Sequence, residues 1–318
     1  MIFGSVIETI GQTPMVELSR IGRALDLDGR IIAKLDYLLP GFSKKDRAAR
    51  SIVTAARENR SLRPGQTVVE LTSGNMGTGL AIVCGVLGHP FVAVMSAGNS
   101  SERAKMMRAL GAEVVIVPQS ENSRPGEVSG ADLALVDEVA KEITAERNAF
   151  RADQFGHFGN PEAHETGTGP EIWAQSEGTV TAFCDFAGSG GTLAGVTRFL
   201  AQKGVNSYAV EPAGAEALSG SPVTSPEHPI QGGGYAMNDL DHLRDVPLAG
   251  YLSVSGEDAR KHVRLLARME GIFGGYSAGA NLAGAVQLLK GPEKGGCVAI
   301  VICDSGLKYL STDLWETE

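Results

Sequence analysis

The chain has 318 residues, of which 43% are hydrophobic and 20% are charged, and its formal net charge is -9. This composition is typical of a globular α/β protein long enough for two domains, and the acidic balance argues against a nucleic acid or an anionic membrane surface as partner. No apolar run reaches membrane-spanning length and residues 1–4 lack the basic region of a signal peptide, so we expect a cytoplasmic protein.

Short β-branched runs alternate with longer helix-like stretches along the chain. The first half predicts strands at 31–35, 67–71, 91–95 and 114–117, and helices at 45–59, at 76–85 and from Ser100 onward. The second half predicts strands at 179–185, 207–210, 252–254 and 298–303, and helices at 161–175, 193–202, 257–270 and 278–289. This pattern predicts an α/β fold of two lobes, each a mostly parallel twisted sheet flanked by helices. Two polar stretches, 118–130 and 213–239, are longer than ordinary connections.

The four cysteines all lie in apolar segments, and none is spaced from another as a metal ligand would be: Cys84, Cys184, Cys297 and Cys303. We expect buried, reduced thiols, which fits a reducing compartment. A nucleophilic cysteine would need a nearby base, and the sequence offers none.

Two lysines, Lys44 and Lys45, stand at the predicted start of a helix, where the helix dipole disfavours a cation. A lysine held there has a reason to lose its proton, and the neutral amine is the form that Schiff-base chemistry needs. The alternative is a solvated basic turn in which Asp46 compensates the charge.

A second candidate segment, 72–77, follows a predicted strand and begins the next helix. Its hydroxyls, carboxamide and N–H groups at a helix N-terminus suit a small carboxylate. The alternative is a turn in which Ser73 or Asn75 only caps the helix.

A third segment, 188–192, is a glycine-rich turn between a predicted strand and a predicted helix. Converging N–H groups at a helix N-terminus predict a phosphate site, whereas the alternative is a turn whose glycines only allow close packing. A dinucleotide site is a further alternative, with Glu211 on the ribose, but the spacing Gly-x-Gly-Gly does not match that fingerprint. Farther on, Ser277 is suitably placed to cap the helix predicted at 278–289.

Together, several ordered segments resemble the fold-type II pyridoxal-phosphate enzymes, in the group of cysteine synthase and cystathionine β-synthase. The resemblance rests on segments 10–16, 43–47, 72–79, 154–155, 168–173, 188–192 and 304–311. It implies a fold like that of the tryptophan synthase β chain. It also implies a smaller domain of residues 1–12 and 35–145, and a larger domain of residues 13–34 and 146–318.

The resemblance also implies a role for individual residues. Lys45 matches the Schiff-base lysine, whereas Lys44 does not; because neighbouring helical residues point about 100° apart, we expect only one of them in the site. Asn75 matches the residue that binds the ring oxygen of pyridoxal 5'-phosphate, and Ser277 the one that faces its pyridine nitrogen. The cofactor phosphate would be held by Gly188, Ser189, Gly190, Gly191 and Thr192. The substrate carboxylate would be held by Thr72, Ser73, Met76 and Gln154, and no metal is implied.

The activity implied is β-replacement on a serine- or cysteine-like amino acid through an aminoacrylate, as in cysteine biosynthesis, with a small nucleophile as second substrate. The alternative within the same cofactor class is a lyase reaction, β-elimination by a serine/threonine deaminase or a cysteine desulfhydrase. The resemblance further implies a homodimer. Departures from the family's pattern predict a specialised donor or nucleophile; they lie at Met76, Phe42, Tyr276 and residues 97–99 and 156–158.

Overall fold

The computed structural model describes residues 2–72, 74–121, 123 and 128–316. The strands are β1 (Met15–Glu17), β2 (Arg30–Lys34), β3 (Val68–Leu71), β4 (Phe91–Ser96), β5 (Glu113–Val117), β6 (Phe150–Arg151), β7 (Ala182–Phe186), β8 (Asn206–Pro212), β9 (Gly250–Val254) and β10 (Cys297–Val301). The helices are α1 (Ser19–Ala24), α2 (Lys45–Glu58), α3 (Asn75–Leu87), α4 (Ser101–Ala109), α5 (Gly130–Glu146), α6 (Gly159–Ala163), α7 (Gly169–Gln175), α8 (Gly191–Ala201), α9 (Gly256–Leu265) and α10 (Tyr276–Leu289).

Six strands form the larger sheet, in the order β1-β2-β10-β7-β8-β9. Its strand pairs are parallel except for β1 with β2, which is antiparallel. Side chains of β7 alternate between the two faces: Cys184 packs in the cluster that contains α10, and Phe183 in the cluster that contains α8. A sheet buried on both faces explains the near-continuous apolar runs of its central strands.

Four parallel strands form the smaller sheet, in the order β5-β4-β3-β6. Helices α2, α3 and α4 cover one face, and α5 covers the other. The predicted α/β fold with parallel sheets and helices on both faces is therefore confirmed. Residues 150–151 of β6, which the resemblance assigned to the larger domain, pair with β3 of the smaller sheet.

The structure differs from the predicted elements in several places: β1 and α1 were not predicted, and the helix expected at 257–270 is α9 followed by a π-helical turn, Leu266–Glu270. Helix α5 was not predicted, although its start carries a capping box between Ser129 and Asp132 that could have revealed it. The single helix expected at 161–175 is α6 and α7 joined by a π-helical turn, His164–Thr168. The strand expected from residue 179 begins only at Ala182, because residues 176–178 form a turn and residues 179–181 connect that turn to the strand. Part of the predicted 118–130 loop lies outside the described residues.

All four cysteines are free and buried, as expected. Among the described residues, no helix combines the length and the apolar character needed to cross a bilayer.

Candidate active site

One pocket lies where the carboxyl ends of β7 and β10 meet the N-terminal ends of four helices, α2, α3, α8 and α10. Helix N-termini carry partial positive charge, so their convergence favours an anionic ligand. The pocket is lined by Lys44, Lys45, Asn75, Asp185, the loop 186–193, Gln231, Gly232, Ser277 and Cys303. It therefore brings together every residue that the resemblance assigned to the cofactor.

Both lysines at the start of α2 enter this pocket, so the prediction that only one could do so was wrong. The Lys45 amine donates to the Ser189 hydroxyl at 3.2 Å. The Lys44 amine instead contacts both carboxylate oxygens of Asp185, at 2.6 and 2.8 Å. Lys44 precedes the first residue of α2, and its long side chain runs to the end of β7 while that of Lys45 reaches the glycine loop.

The two amines have opposite charge preferences. The pKa of Lys45 is lowered to about 8, mainly by burial and next by the neighbouring cation of Lys44. Burial acts in the same direction on Lys44, but the carboxylate of Asp185 outweighs it and raises the pKa of Lys44 above its ordinary value. Lys44 therefore stays charged, whereas with a pKa of about 8 roughly a tenth of Lys45 is the neutral, nucleophilic amine at pH 7.

The glycine loop has the shape of an anion cradle. Gly190 adopts a positive φ of 82° immediately before α8. A Cβ atom on Gly191 would lie 2.2 Å from Oδ1 of Asn160, and one on Gly188 would lie 2.7 Å from the carbonyl oxygen of Gly232. Glycine is required at both positions. Because no side chain caps α8, the N–H groups at its start can bind an anion.

Two residues of the α6–α7 segment contact hydroxyl groups of the glycine loop. The Asn160 amide donates to the Ser189 hydroxyl at 2.9 Å, and His164 Nε2 lies 3.2 Å from the Thr192 hydroxyl. Burial lowers the pKa of His164 well below its ordinary value, so this ring is neutral and its other nitrogen bonds Thr168 at 2.8 Å. The sequence analysis missed both Asn160 and His164, whose partners lie 29 and 28 residues away along the chain.

Asn75 is the first residue of α3, and its amide is oriented by two partners. Its nitrogen donates to Asp304 at 2.8 Å, and its oxygen accepts from the Lys308 amine at 2.7 Å. Asp304 is itself fixed by the Tyr309 hydroxyl at 2.7 Å. One N–H of the Asn75 amide is left to donate into the pocket, which suits a ring oxygen.

Ser277 is the second residue of α10, and the cap position belongs to Gly275. The interpretation of Ser277 as a helix cap was therefore wrong. Its hydroxyl lies beside the Cys303 thiol at the pocket wall. Burial raises the pKa of that thiol to about 12, so both groups facing the pocket there are neutral.

Of the residues predicted to hold the substrate carboxylate, Thr72, Met76 and Gln154 do not line this pocket. The Thr72 hydroxyl accepts from the N–H groups of Gly74 and Gly77, at 3.0 and 2.8 Å, so the residue that caps this turn is Thr72, whereas the alternative gave that role to Ser73 or Asn75. The Gln154 amide donates to Glu70 and to the carbonyl of Leu71, at 3.2 and 2.9 Å. Their role toward a substrate stays a prediction.

The Met76 side chain is 2% exposed and packs in the core of the smaller sheet, so only its backbone N–H is left for a ligand. Ser73 lies outside the described residues. Tyr276, another departure from the family's pattern, is also buried and bonds Asp313 rather than lining the pocket.

The pocket fits a phosphorylated aldehyde with a polar aromatic ring. The glycine loop suits the phosphate, the Lys45 amine suits the aldehyde, and Asn75 and Ser277 offer neutral partners to the ring. Besides the two residues of the α6–α7 segment, the sequence analysis missed Asp185 and Gln231. A lone aspartate in an apolar strand was the signal for Asp185.

Comparisons with known proteins agree with this geometry. A family model described as pyridoxal-phosphate dependent enzyme matches residues 6–304. Cysteine synthase 3 of Caenorhabditis elegans is 40% identical over 314 residues, which cover 97% of this chain and 88% of that protein. The structure of O-ureido-L-serine synthase superposes with a TM-score of 0.87 at 36% identity, over 99% of this chain and 96% of that one. A hydrogen sulfide-producing enzyme of Fusobacterium nucleatum superposes with a TM-score of 0.88 at 31% identity, over 97% of this chain and 100% of that one.

Proposed function

The chain belongs to the family of pyridoxal-phosphate-dependent enzymes, and from that premise we propose that it catalyses β-replacement on a serine-like amino acid. The observation that carries this proposal is the half-buried Lys45 amine, bonded to Ser189 of the glycine loop and partly neutral near neutral pH. When bound, pyridoxal phosphate supplies an electron sink that makes the α-proton of an amino acid acidic.

The residues of the pocket then have distinct tasks. The neutral Lys45 amine takes the α-proton, because it can accept a proton that a charged lysine could not. The phosphate is held by Gly188, Ser189, Gly190, Gly191 and Thr192, whose loop ends at the N-terminus of α8. Asn75 would donate to the ring oxygen, and the Ser277 hydroxyl would face the ring nitrogen without a charge. A neutral partner there favours loss of a β-substituent over transamination.

We propose that the substrate carboxylate is bound by the segment 72–76 and by Gln154. Support comes from the start of α3, where N–H groups of a long helix meet the pocket. Because the Met76 side chain is buried, its contribution would be the backbone N–H. The names of the relatives point to cysteine or an O-substituted serine as product.

A second candidate is β-elimination, favoured by the resemblance to a hydrogen sulfide-producing enzyme. Steady-state assays on an O-substituted serine, with and without sulfide, separate the two reactions. Under β-replacement, sulfide or another small nucleophile raises substrate consumption and suppresses pyruvate. Equal pyruvate release in both conditions would favour elimination.

The cofactor assignment is tested with two matched variants, Lys45→Arg and Lys44→Arg. Both keep a cation, but an arginine cannot bond an aldehyde as a lysine amine does. We expect the purified wild type and Lys44→Arg to show the visible absorbance of bound cofactor, and Lys45→Arg to lose it. A wild type that stays colourless after addition of pyridoxal phosphate would refute the proposal.

We also propose that the protein is a cytoplasmic homodimer. Each protomer would have two domains, one of residues 1–12 and 35–145 and one of residues 13–34 and 146–318. The four free, buried cysteines support a reducing compartment, and the two separate sheets support two domains. Light scattering of the purified protein tests the dimer: a mass near twice the 33.2 kDa of one chain is expected.

A further inference from the structure

A buried ion pair closes one side of the pocket. Lys44 and Asp185 have side chains only 10% and 2% exposed, and the amine contacts both carboxylate oxygens. The Asn281 amide donates to the same carboxylate at 3.0 Å, and the backbone N–H of Lys44 donates to the carbonyl of Cys303 at 2.8 Å. Asp185 is therefore held by its place in β7 and by Asn281 of α10, and the backbone of Lys44 is held by the residue that follows β10.

Such a pair is expensive to bury, because both charges leave water. Apolar residues of the same volume would close the pocket without that desolvation cost. None of the tasks set out above for the pocket residues uses Lys44 or Asp185. The position of the pair, next along the chain to Lys45 and in the same pocket, indicates what it does.

We propose that the Lys44–Asp185 pair positions a permanent cation beside the Lys45 amine and thereby favours the neutral, nucleophilic form of that amine. Lys44 is thus a positioning residue that acts through Lys45. This inference deepens the proposed function and rests on it, since it presumes that Lys45 is the amine that bonds the cofactor.

The surroundings of Lys45 support the sign of this effect. The titratable groups that interact with Lys45 come from several elements: Lys44, Asp185, Cys303, Glu70, His164 and His242. Burial lowers the pKa of Lys45 most, followed by Lys44, whereas Asp185, Cys303 and Glu70 raise it. Burial lowers the pKa of both histidines, so neither adds a cation near neutral pH. Lys44 is therefore the one side chain in this set that drives the amine toward its neutral form by charge.

The experiment measures the titration of Lys45 directly. Full-length protein is stripped of cofactor with hydroxylamine and labelled with traces of acetic anhydride across a pH series. Acetylation of the Lys45 peptide is followed by mass spectrometry, with the exposed Lys105 and Lys261 as internal references. Only a neutral amine is acetylated, so the labelling midpoint reports the charge of Lys45.

Three variants separate a charge effect from a packing effect. Lys44→Met removes the cation and leaves the carboxylate facing Lys45, so the midpoint moves upward by about one to two pH units. Lys44→Arg keeps a permanent cation on Asp185, and its midpoint stays at the wild-type value. The double variant Lys44→Met/Asp185→Asn removes both charges without leaving a buried ion alone, and its midpoint rises by less than that of Lys44→Met.

A purely structural pair gives a different pattern. An unmoved midpoint in Lys44→Met would overturn the proposal, as would equal midpoints for Lys44→Met and Lys44→Arg. If Lys44→Met does not fold, an unmoved labelling midpoint in the double variant would overturn the proposal instead. Because acetylation requires no cofactor, a shifted midpoint in a protein that never binds pyridoxal phosphate would refute the proposed function, not the electrostatic effect.

Discussion

At the scale of single residues, a buried network of charges anchors the first turn of α2, two residues beyond Lys45. The Arg47 guanidinium contacts Asp36 at 2.9 Å and Glu171 at 2.6 Å, and Lys34 contacts the second oxygen of Glu171 at 2.6 Å. Burial would raise the pKa of Glu171, but the hydrogen bonds and charges of Arg47 and Lys34 outweigh it and lower the pKa to about 2. The network thus links α7 to the helix that presents the Lys45 amine.

This network predicts a loss of stability in acid. Because the pKa of Glu171 in the folded protein is about 2 instead of 4.5, its stabilisation is complete above pH 4.5 and disappears as pH falls toward 2. Near neutral pH we expect Glu171→Gln to unfold more easily than the wild type by on the order of 3 kcal/mol. Urea denaturation over a pH series measures the difference, which should shrink as the wild-type carboxylate is protonated. A difference independent of pH would contradict this account.

A second residue-scale prediction concerns the orientation of Asn75. The Lys308 side chain is 1% exposed and donates to Asn75 and to the carbonyl of Gly41, at 2.7 and 2.8 Å. Lys308→Met leaves two buried oxygens without this donor, so we expect a loss of about 1–3 kcal/mol in unfolding free energy. The absorbance of bound cofactor should also shift, since the amide is then free to turn. Lys290→Met, at an exposed lysine, is the control and should change neither measurement.

The resemblance to a known family assigned the cofactor residues that line the pocket, because each of them stands in a local motif that can be matched: a glycine turn, a polar segment before a helix, a lysine at a helix start. It did not predict the pairing of Lys44 with Asp185, which joins residues 141 positions apart. It also did not predict that the Gln154 amide is engaged by Glu70 and Leu71. Such pairings depend on which strand ends meet, and a local motif carries no information about that.

At the scale of elements, α8 carries the glycine loop and is packed tightly on the segment that holds Asn160. A Cβ atom on Gly195 would lie 2.1 Å from the carbonyl oxygen of Pro161 and 2.7 Å from the backbone nitrogen of Glu165. Both contacts are to backbone, which cannot move aside as a flexible side chain would. This close approach sets the distance between α8 and α6, and with it the position of the glycine loop.

We therefore expect Gly195→Ala to destabilise the protein by about 1–3 kcal/mol and to weaken cofactor binding, although the residue does not line the pocket. The matched control is Gly22→Ala in α1, where an added Cβ meets no atom within 4 Å. That change should be neutral or stabilising by up to about 1 kcal/mol, because alanine favours a helix. Thermal unfolding and titration with pyridoxal phosphate measure the two effects. Similar behaviour of the two variants would contradict the packing argument.

The elements themselves followed from apolar periodicity wherever a segment was strongly buried. Periodicity could not show the π-helical turn at His164–Thr168, because that turn keeps the apolar spacing of a helix on either side. Helix α5 was missed for another reason: few of its residues are fully buried, namely Asp132, Val136 and Ala140. A helix that contacts the sheet through so few buried residues shows only a weak apolar periodicity in its sequence.

At the scale of the whole molecule, the pocket draws on both sheets. Asn75 begins a helix of the smaller sheet, whereas Asp304 and Lys308, its two partners, follow the last strand of the larger sheet. A ligand in this pocket therefore contacts residues from both halves of the fold. Its binding free energy adds to the stability of the assembled molecule.

This arrangement predicts that pyridoxal phosphate raises the unfolding temperature of the stripped protein. At a concentration of 100 times Kd the expected gain is about 2.7 kcal/mol. Pyridoxal, which has no phosphate for the glycine loop, should give a clearly smaller gain at the same concentration. Differential scanning calorimetry with each compound makes the comparison, and equal gains would show that the glycine loop does not hold the phosphate.

The strand order also governs how this chain can acquire its fold during synthesis. Strands β3 to β6 of the smaller sheet span residues 68–151 without interruption, so they can pair as soon as that segment is available. In the larger sheet, β10 lies between β2 and β7, and its pairing joins Cys297 to Arg30. Until β10 is made, β2 and β7 have no neighbour between them, and each shows an open edge. The smaller sheet is therefore expected to form on the ribosome, and the larger one only after nearly the whole chain has emerged.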